Sequence, residues 1–210
     1  MIYKSGVIKG TEFNEVLQNF TVKGNLVIED NIASSFSATN HIILPQLPIP
    51  QTSYEILVKF YIINWGSSAG RVLGNSMTNI HSPQLETPHT SRAKMNCLHP
   101  SAAYGWKSFN INYTIEKNTW YWAKIVWDGA KTYCYMSSNG VDFTSGGSVA
   151  ATDCGWDEPL CLGYDMTGPL NGKIDLNEFY IKMDGKLVYV PALTPSISSY
   201  QFIAEDFYEI

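Results

Sequence analysis

The chain has 210 residues, 45% hydrophobic and 16% charged, a composition suited to a globular protein with one sizeable core. A formal charge of −5 and a pI near 5.3, with no cluster of Lys or Arg, exclude the basic footprint of a nucleic-acid binder and make polyanions poor partners. No stretch approaches the roughly 20 apolar residues of a membrane-spanning helix, so membrane insertion is not expected.

No charge block, Gly/Ser tract or internal repeat divides the chain, and a single domain is expected. The N-terminal MIYKSGVIKGTEFNEV lacks the apolar core of a secretory signal, which predicts a chain made in a cytoplasm. Cys97, Cys134, Cys154 and Cys161 form no CxxC pair and have no neighbouring His at zinc-ligand spacing. They read as reduced structural thiols, with a Cys154 to Cys161 bridge as the alternative on an exported particle. The 13 Tyr, 9 Phe and 6 Trp concentrate in segments that also carry Val, Ile and Thr, which is strand chemistry.

In chain order, residues 25–30 (NLVIED) and 35–44 (SFSATNHIIL) are short apolar segments separated by polar turns. Pro45, Pro48 and Pro50 then mark a loop, because proline cannot donate to a ladder. Residues 54–64 (YEILVKFYIIN) predict a strand with Ile56, Val58, Phe60 and Ile62 on one face and Leu57, Tyr61 and Ile63 on the other. Residues 65–109 carry scattered Gly and Pro and all the histidines except His41, which predicts short strands joined by elaborated loops.

The clearest hairpin joins residues 119–127 (TWYWAKIVW) to 131–137 (KTYCYMS) through Asp128-Gly129. Alternation places Trp120, Trp122, Lys124 and Val126 on one face, and Tyr121, Ala123, Ile125 and Trp127 on the other. Ser138-Asn139-Gly140 reads as a further turn, with Val141-Asp142-Phe143 resuming the sheet and Gly146-Gly147 forming a hairpin tip. Residues 159–164, 172–183 and 186–190 predict later strands, with Asp184-Gly185 turning between the last two. No stripe of helical period and length appears. The fold class expected is all-β, an antiparallel jelly-roll sandwich.

The run NTWYWAKIVWDGAKTYCYMSSNGVDF and the later LCLGYDMTGPLNGKIDLNEFYIKMDGKLVYVP resemble, in that order, the central hairpin and closing strands of laminin-G-like domains. Upstream, SSFSATNHIILP is similar to the early strand of the same family. The resemblance is to the concanavalin A-like lectin/glucanase superfamily, of the laminin-G-like kind found in bacteriophage tail, fibre and capsid-decoration proteins. It spans residues 25–191, leaving 1–24 as an N-terminal arm or first strand and 192–210 as a C-terminal extension.

The superfamily also contains retaining glucanases with a Glu-x-Asp-x-(x)-Glu strand, and the comparable run here is Lys173-Ile174-Asp175-Leu176-Asn177-Glu178. Such enzymes need two carboxylates roughly 5 Å apart, one as nucleophile and one as acid/base. Lys173 stands at the first of these positions, and alternation separates Asp175 from Glu178 unless a bulge intervenes. Asp175 therefore reads as a structural acceptor for a neighbouring turn, and no catalytic residue is assigned. His41, His81, His89 and His99 lie in no protease, hydrolase or metal motif and read as solvated loop residues.

Aromatic rings beside polar side chains in predicted loops are the candidates for sugar contact, since sugars stack on ring faces and hydrogen-bond planar polar groups. Trp156 and Asp157 are the leading pair, followed by Tyr164 and Asp165, then Trp65, Tyr104 and Trp106. The resemblance also implies calcium at a loop rim, to which Asp153, Asp157 and Asp165 have suitable oxygens, although no EF-hand spacing occurs and no metal ligands are assigned. The expected function is non-catalytic binding of a glycan or host surface by a virion protein. The alternatives are a structural decoration or assembly protein, partnered by other virion proteins or its own copies, and a glycan-degrading enzyme.

Overall fold

The computed structural model describes residues 19–191 except 67, 76–80, 91, 103–104 and 166–167; residues 1–18 of the expected arm and the whole extension 192–210 lie outside the described residues. Every regular element described is a strand. In chain order they are β1 Thr21–Lys23, β2 Val27–Glu29, β3 Ile32–Ser34, β4 His41–Ile43, β5 Tyr54–Ile62, β6 Arg71–Asn75, β7 Gln84–Glu86, β8 Asn96–Ser101 and β9 Gly105–Asn110. Then come β10 Trp120–Trp127, β11 Lys131–Ser137, β12 Thr144–Ala150, β13 Leu160–Leu162, β14 Tyr164–Asp165, β15 Gly168–Pro169, β16 Gly172–Met183 and β17 Lys186–Tyr189.

Two antiparallel sheets face each other. One is seven-stranded in the order β1-β4-β13-β6-β7-β8-β9. The other has eight strands, β12-β11-β10-β5-β16-β3-β2 with β17 beside β16, while β14 and β15 form a separate ribbon. Consecutive strands repeatedly belong to different sheets, which makes this a jelly-roll sandwich. Alternation in β5 and β10 sends Ile56, Val58, Phe60, Ile62, Ala123 and Ile125 into the space between the sheets, all at most 1% exposed. The predicted facial division of both strands is the one observed.

Turn chemistry explains much of the register. Asp30 and Asn31, at φ 50° and 62°, close β2 onto β3, so Glu29 pairs with Ile32. The sequence predicts a polar turn between residues 30 and 35; the turn is two residues long and the sheet resumes at once in β3. Asp184 and Gly185, at φ 50° and 76°, make an equally short connection between Met183 and Lys186. The Asp128 carboxylate accepts from the Ala130 and Lys131 amides at 2.9 and 2.8 Å, and fixes the β10–β11 turn.

Other local expectations yield to tertiary contacts. Val141-Asp142-Phe143 does not resume the sheet: Val141 is 79% exposed, and β12 begins only at Thr144. Gly146 and Gly147 are not a hairpin tip but mid-strand in β12, where a Cβ on Gly146 would approach Ile111 Cγ2 to 2.5 Å and Gly147 takes φ 133°. Nor are all the histidines solvated. His99 lies in β8 with no exposure, its Nε2–H donating to the Asp153 carbonyl at 2.6 Å while the Tyr54 and Thr132 hydroxyls lie 2.9 and 2.8 Å from Nδ1. Burial pushes its pKa down, which favours the neutral ring. His41 is buried in β4 and stacks on Tyr164, with ring centroids 4.8 Å apart.

Asp184 also ties the β16–β17 turn to the loop before β5, accepting from the amides of Gln51, Thr52 and Ser53 and from the Thr52 hydroxyl at 2.7–3.1 Å. Partial burial opposes its ionisation, but these donors outweigh it and hold the carboxyl below the usual carboxylate range. A carboxylate with a depressed folded pKa stabilises the fold above its unfolded value of about 4, and loses that contribution as pH falls through the folded value. Asp184→Ala is therefore expected to cost about 1 kcal/mol at pH 7, a figure reduced for the exposure of the site. In thermal unfolding the gap between variant and parent should close as the pH is taken below about 4.

Candidate functional site

The outer face of the eight-stranded sheet carries an organised array of aromatic and charged side chains. Along β5 the outward positions are Glu55, Leu57, Lys59 and Tyr61; β10 sets Val126, Lys124, Trp122 and Trp120 directly opposite them. On the other side of β5, β16 places Lys173 opposite Tyr61 and Asp175 opposite Lys59. All are half-buried except Asp175, whose side chain is 10% exposed.

Lys59 is the centre of this array. Its amine donates to Asp175 Oδ2 at 2.9 Å and lies 4.8 Å from the Trp122 ring centroid and 5.2 Å from that of Trp120. The other carboxylate oxygen, Oδ1, accepts from the Asn177 backbone amide at 3.0 Å and its side-chain amide at 2.9 Å. Asp175 is thus a hydrogen-bond acceptor, but its donors are Lys59 on β5 and Asn177 on its own strand rather than a neighbouring turn. The pairing of β16 with β5 slips between Asp175 and Tyr180, a bulge that exposes Asn177 and Glu178 and buries Leu176 and Phe179.

Further along the face, Glu55 accepts from the Tyr180 hydroxyl at 2.6 Å and the Lys182 amine at 3.1 Å. Burial disfavours the Glu55 carboxylate, but these donors prevail and its pKa lies below the ordinary value. The Tyr180 hydroxyl is pushed up, by burial first and by the neighbouring carboxylate second.

At the opposite end the array opens into a groove of about 560 Å³ whose lining includes Ser34, Ser35, Phe36, Ile63, Asn171 and Lys173. Lys173 belongs to both regions: it lines the groove, and its amine lies 5.8 Å from the Tyr61 ring centroid. Tyr61 in turn meets Trp120 at 5.3 Å between centroids, tilted by 54°, and its hydroxyl reaches Asn118 Oδ1 at 3.4 Å. The groove floor depends on Gly172, where a Cβ would run into the Tyr61 carbonyl oxygen, so only glycine lets β16 approach β5 here. An aromatic shelf beside a concave, hydroxyl- and amide-lined groove suits a ligand with alternating C–H faces and hydroxyl edges.

The residues singled out from sequence fare differently. Trp156 is 1% exposed: its indole N–H donates to the Glu158 carbonyl at 3.0 Å, and its ring meets Tyr54 edge-on at 5.5 Å in the core, so its face is closed to any ligand. This corrects its assignment as the leading stacking residue. Asp157 is half-exposed, with Oδ1 2.7 Å from His81 Nδ1. Tyr164 stacks on His41, Asp165 pairs through its backbone with Gly168 in the ribbon, and Trp65 packs half-buried against the core. Trp106 alone among them is a broadly exposed ring, at 57%, on β9 at the far edge of the seven-stranded sheet. Tyr104 lies outside the described residues. Among the described ones, Trp65, Trp156 and Asp157 lie in loops, Tyr164 and Asp165 on β14 and Trp106 on β9.

Of the three aspartates considered for calcium, Asp153 and Asp157 have other partners. Asp153 Oδ1 accepts from the Ser101 hydroxyl at 2.8 Å, Asp157 is engaged with His81, and no three His, Cys, Asp or Glu side chains gather to hold a metal ion among the described residues. A second polar cluster, on the seven-stranded sheet, is closed on itself. Glu86 is clamped by Arg71 and Arg92, each at 2.6 Å, with Asn96 at 3.0 Å, and its side chain is 9% exposed.

Sequence reading passed over Tyr61, Trp120, Lys173, Ser34, Ser35 and Asn171. The signal available was Trp120 and Trp122 alternating with Lys124, on the face opposite the apolar stripe. Trp156→Ala is expected to destabilise the protein by about 3–5 kcal/mol by opening a large core cavity, which a urea titration followed by far-UV circular dichroism would measure.

No protein-family model matches the sequence, and no curated protein matches it either. Solved structures do. Domain 4 of AbnA, a GH43 extracellular arabinanase from Geobacillus stearothermophilus in complex with arabinotriose, matches with a TM-score of 0.57 at 17% identity, covering 81% of this chain and 82% of that one. The enzymatically active domain of bacteriophage CBA120 tailspike protein 2 matches with a TM-score of 0.58 at 10% identity, over 88% of this chain but 34% of that chain. Domains LG4-5 of the mouse laminin alpha1 chain match with a TM-score of 0.53 at 13% identity, over 85% of this chain and 48% of that chain. With its two antiparallel sheets and jelly-roll order, the chain has a β-sandwich fold similar to those of the arabinanase and laminin domains.

Proposed function

We propose that this chain is a non-catalytic glycan-binding module whose sugar lies across Tyr61 and Trp120 and enters the groove beside Lys173. The observation that carries this reading is the continuity of the half-buried aromatic pair with a 560 Å³ groove edged by serine hydroxyls and an asparagine amide. Sugar rings offer C–H faces to aromatics and hydroxyls to planar polar groups, and the shelf and groove present both kinds of surface side by side. The likeness to an arabinanase domain crystallised with arabinotriose supports the reading at the level of fold.

The absence of catalysis is part of the proposal. Asp175 has both oxygens engaged by Lys59 and Asn177, and Lys173 occupies the place a retaining glucanase gives to a carboxylate. The biological setting we propose is attachment of a virion to a host surface, supported by the fold-level likeness to a bacteriophage tailspike domain.

A glycan array followed by calorimetry on the best binder tests this. Trp120→Ala is expected to weaken binding about tenfold or more while leaving the circular dichroism spectrum unchanged, the loss of one stacking contact with its buried area. A null array with folded wild-type protein would overturn the binding proposal. Release of reducing sugar from the bound glycan would overturn its non-catalytic part.

A further inference from the structure

We propose that the groove selects an acidic sugar unit, one bearing a carboxylate or a sulfate ester, and that Lys173 is the residue that reads its charge. This rests on the glycan-binding reading of the same face and specifies the ligand further.

The lysines of the outer face are not equivalent. Lys59 is neutralised by Asp175 at 2.9 Å, and Lys182 by Glu55 at 3.1 Å. Lys124 lies over the Phe143 ring at 4.4 Å, away from the groove. Lys173 projects at the groove, and among the described residues no carboxylate stands within ion-pair distance of it; its recorded contact is with the Tyr61 ring. The two in-sheet neighbours that flank it, Ser34 on β3 and Tyr61 on β5, are uncharged. Asp175, two residues along the same strand, is held by Lys59 and Asn177.

No Asp or Glu lines the groove, so Lys173 supplies its only formal charge among the described residues. A half-buried ammonium with hydroxyl and amide donors around it, and no anion of its own, favours an anionic oxygen group from the ligand. Tyr61 and Trp120 set the ring of the same sugar on the shelf, which fixes the distance from ring to charge. The chain's overall charge of −5 opposes a polyanion, whose many charges would meet a net negative surface, but not a single acidic unit seated at one cation.

Matched pairs test this: sialyllactose against lactose, trigalacturonate against its carboxyl-reduced trimer, and sulfolactose against lactose, measured by calorimetry with wild type, Lys173→Met and Trp120→Ala. Wild type is expected to prefer the acidic member of at least one pair about tenfold, the effect of one charge-assisted hydrogen bond. The preference should shrink as salt is raised. Lys173→Met should bind both members of that pair equally, at the affinity wild type has for the neutral one, whereas Trp120→Ala should weaken both. Carboxylate and sulfate are told apart by which pair shows the preference. Equal affinity within all three pairs, or a preference that survives Lys173→Met, overturns the assignment of Lys173 and leaves glycan binding standing. A wild-type protein that is folded by circular dichroism yet binds no member of any pair overturns this proposal, and the glycan array separately decides the broader one.

Discussion

The outer face of the eight-stranded sheet depends on the contact between Lys59 and Asp175. A lysine in the middle of a sheet would ordinarily extend its amine into water. Here the amine is held at 2.9 Å by a carboxylate that two Asn177 donors fix in place, and so lies against both Trp122 and Trp120. Breaking such a pair from one side leaves a partly desolvated charge, so the two residues keep each other in position. The consequence reaches beyond the pair. Both rings of β10 meet the same amine, Tyr61 packs beside Trp120, and the groove opens from this surface.

The same strand shows why two kinds of aromatic residue coexist. Trp120 and Trp127 are separated by an odd number of positions, so the pleat sends them to opposite faces. Trp127 enters the core at 3% exposure and donates its indole N–H to the Ala151 carbonyl at 2.8 Å. Trp120 is only half-buried and meets a lysine and a tyrosine. Burial separates a structural tryptophan from one able to meet a ligand, and within β10 the alternation of the strand decides it.

That distinction also explains what could be read from sequence. The facial division of β5 and β10, the extent of β16 and the turn at Asp184-Gly185 were legible because strand alternation and positive-φ turn residues are local signals. The short strand β3 was not, since three residues carry too little pattern. Gly146 and Gly147 carry the composition of a turn, yet sit inside β12 because Ile111 and Phe109 pass close by, contacts that come from residues far along the chain. Trp156 has the surroundings of a loop aromatic, with Asp157, Glu158 and Pro159 after it, but its ring turns inward onto Tyr54. The shelf and groove failed to appear for the complementary reason. Ser34, Tyr61, Trp120 and Lys173 come from four strands separated in sequence, and become neighbours only through the order β10-β5-β16-β3.

The arrangement of carboxylates on this face bears on the proposal that the chain binds a glycan without hydrolysing it. Glycoside hydrolysis needs a carboxylate free to attack or to exchange a proton, with a partner across the scissile bond. Asp175 is committed at both oxygens, and Glu55 is committed to Tyr180 and Lys182, with donors that hold its pKa low and so disfavour a proton-donating role. The contacts that stabilise the aromatic array are the ones that occupy its acids. A substitution freeing Asp175 for chemistry would also release Lys59 from the tryptophan ring faces, so on this face catalytic readiness and the proposed sugar shelf compete for the same carboxylate.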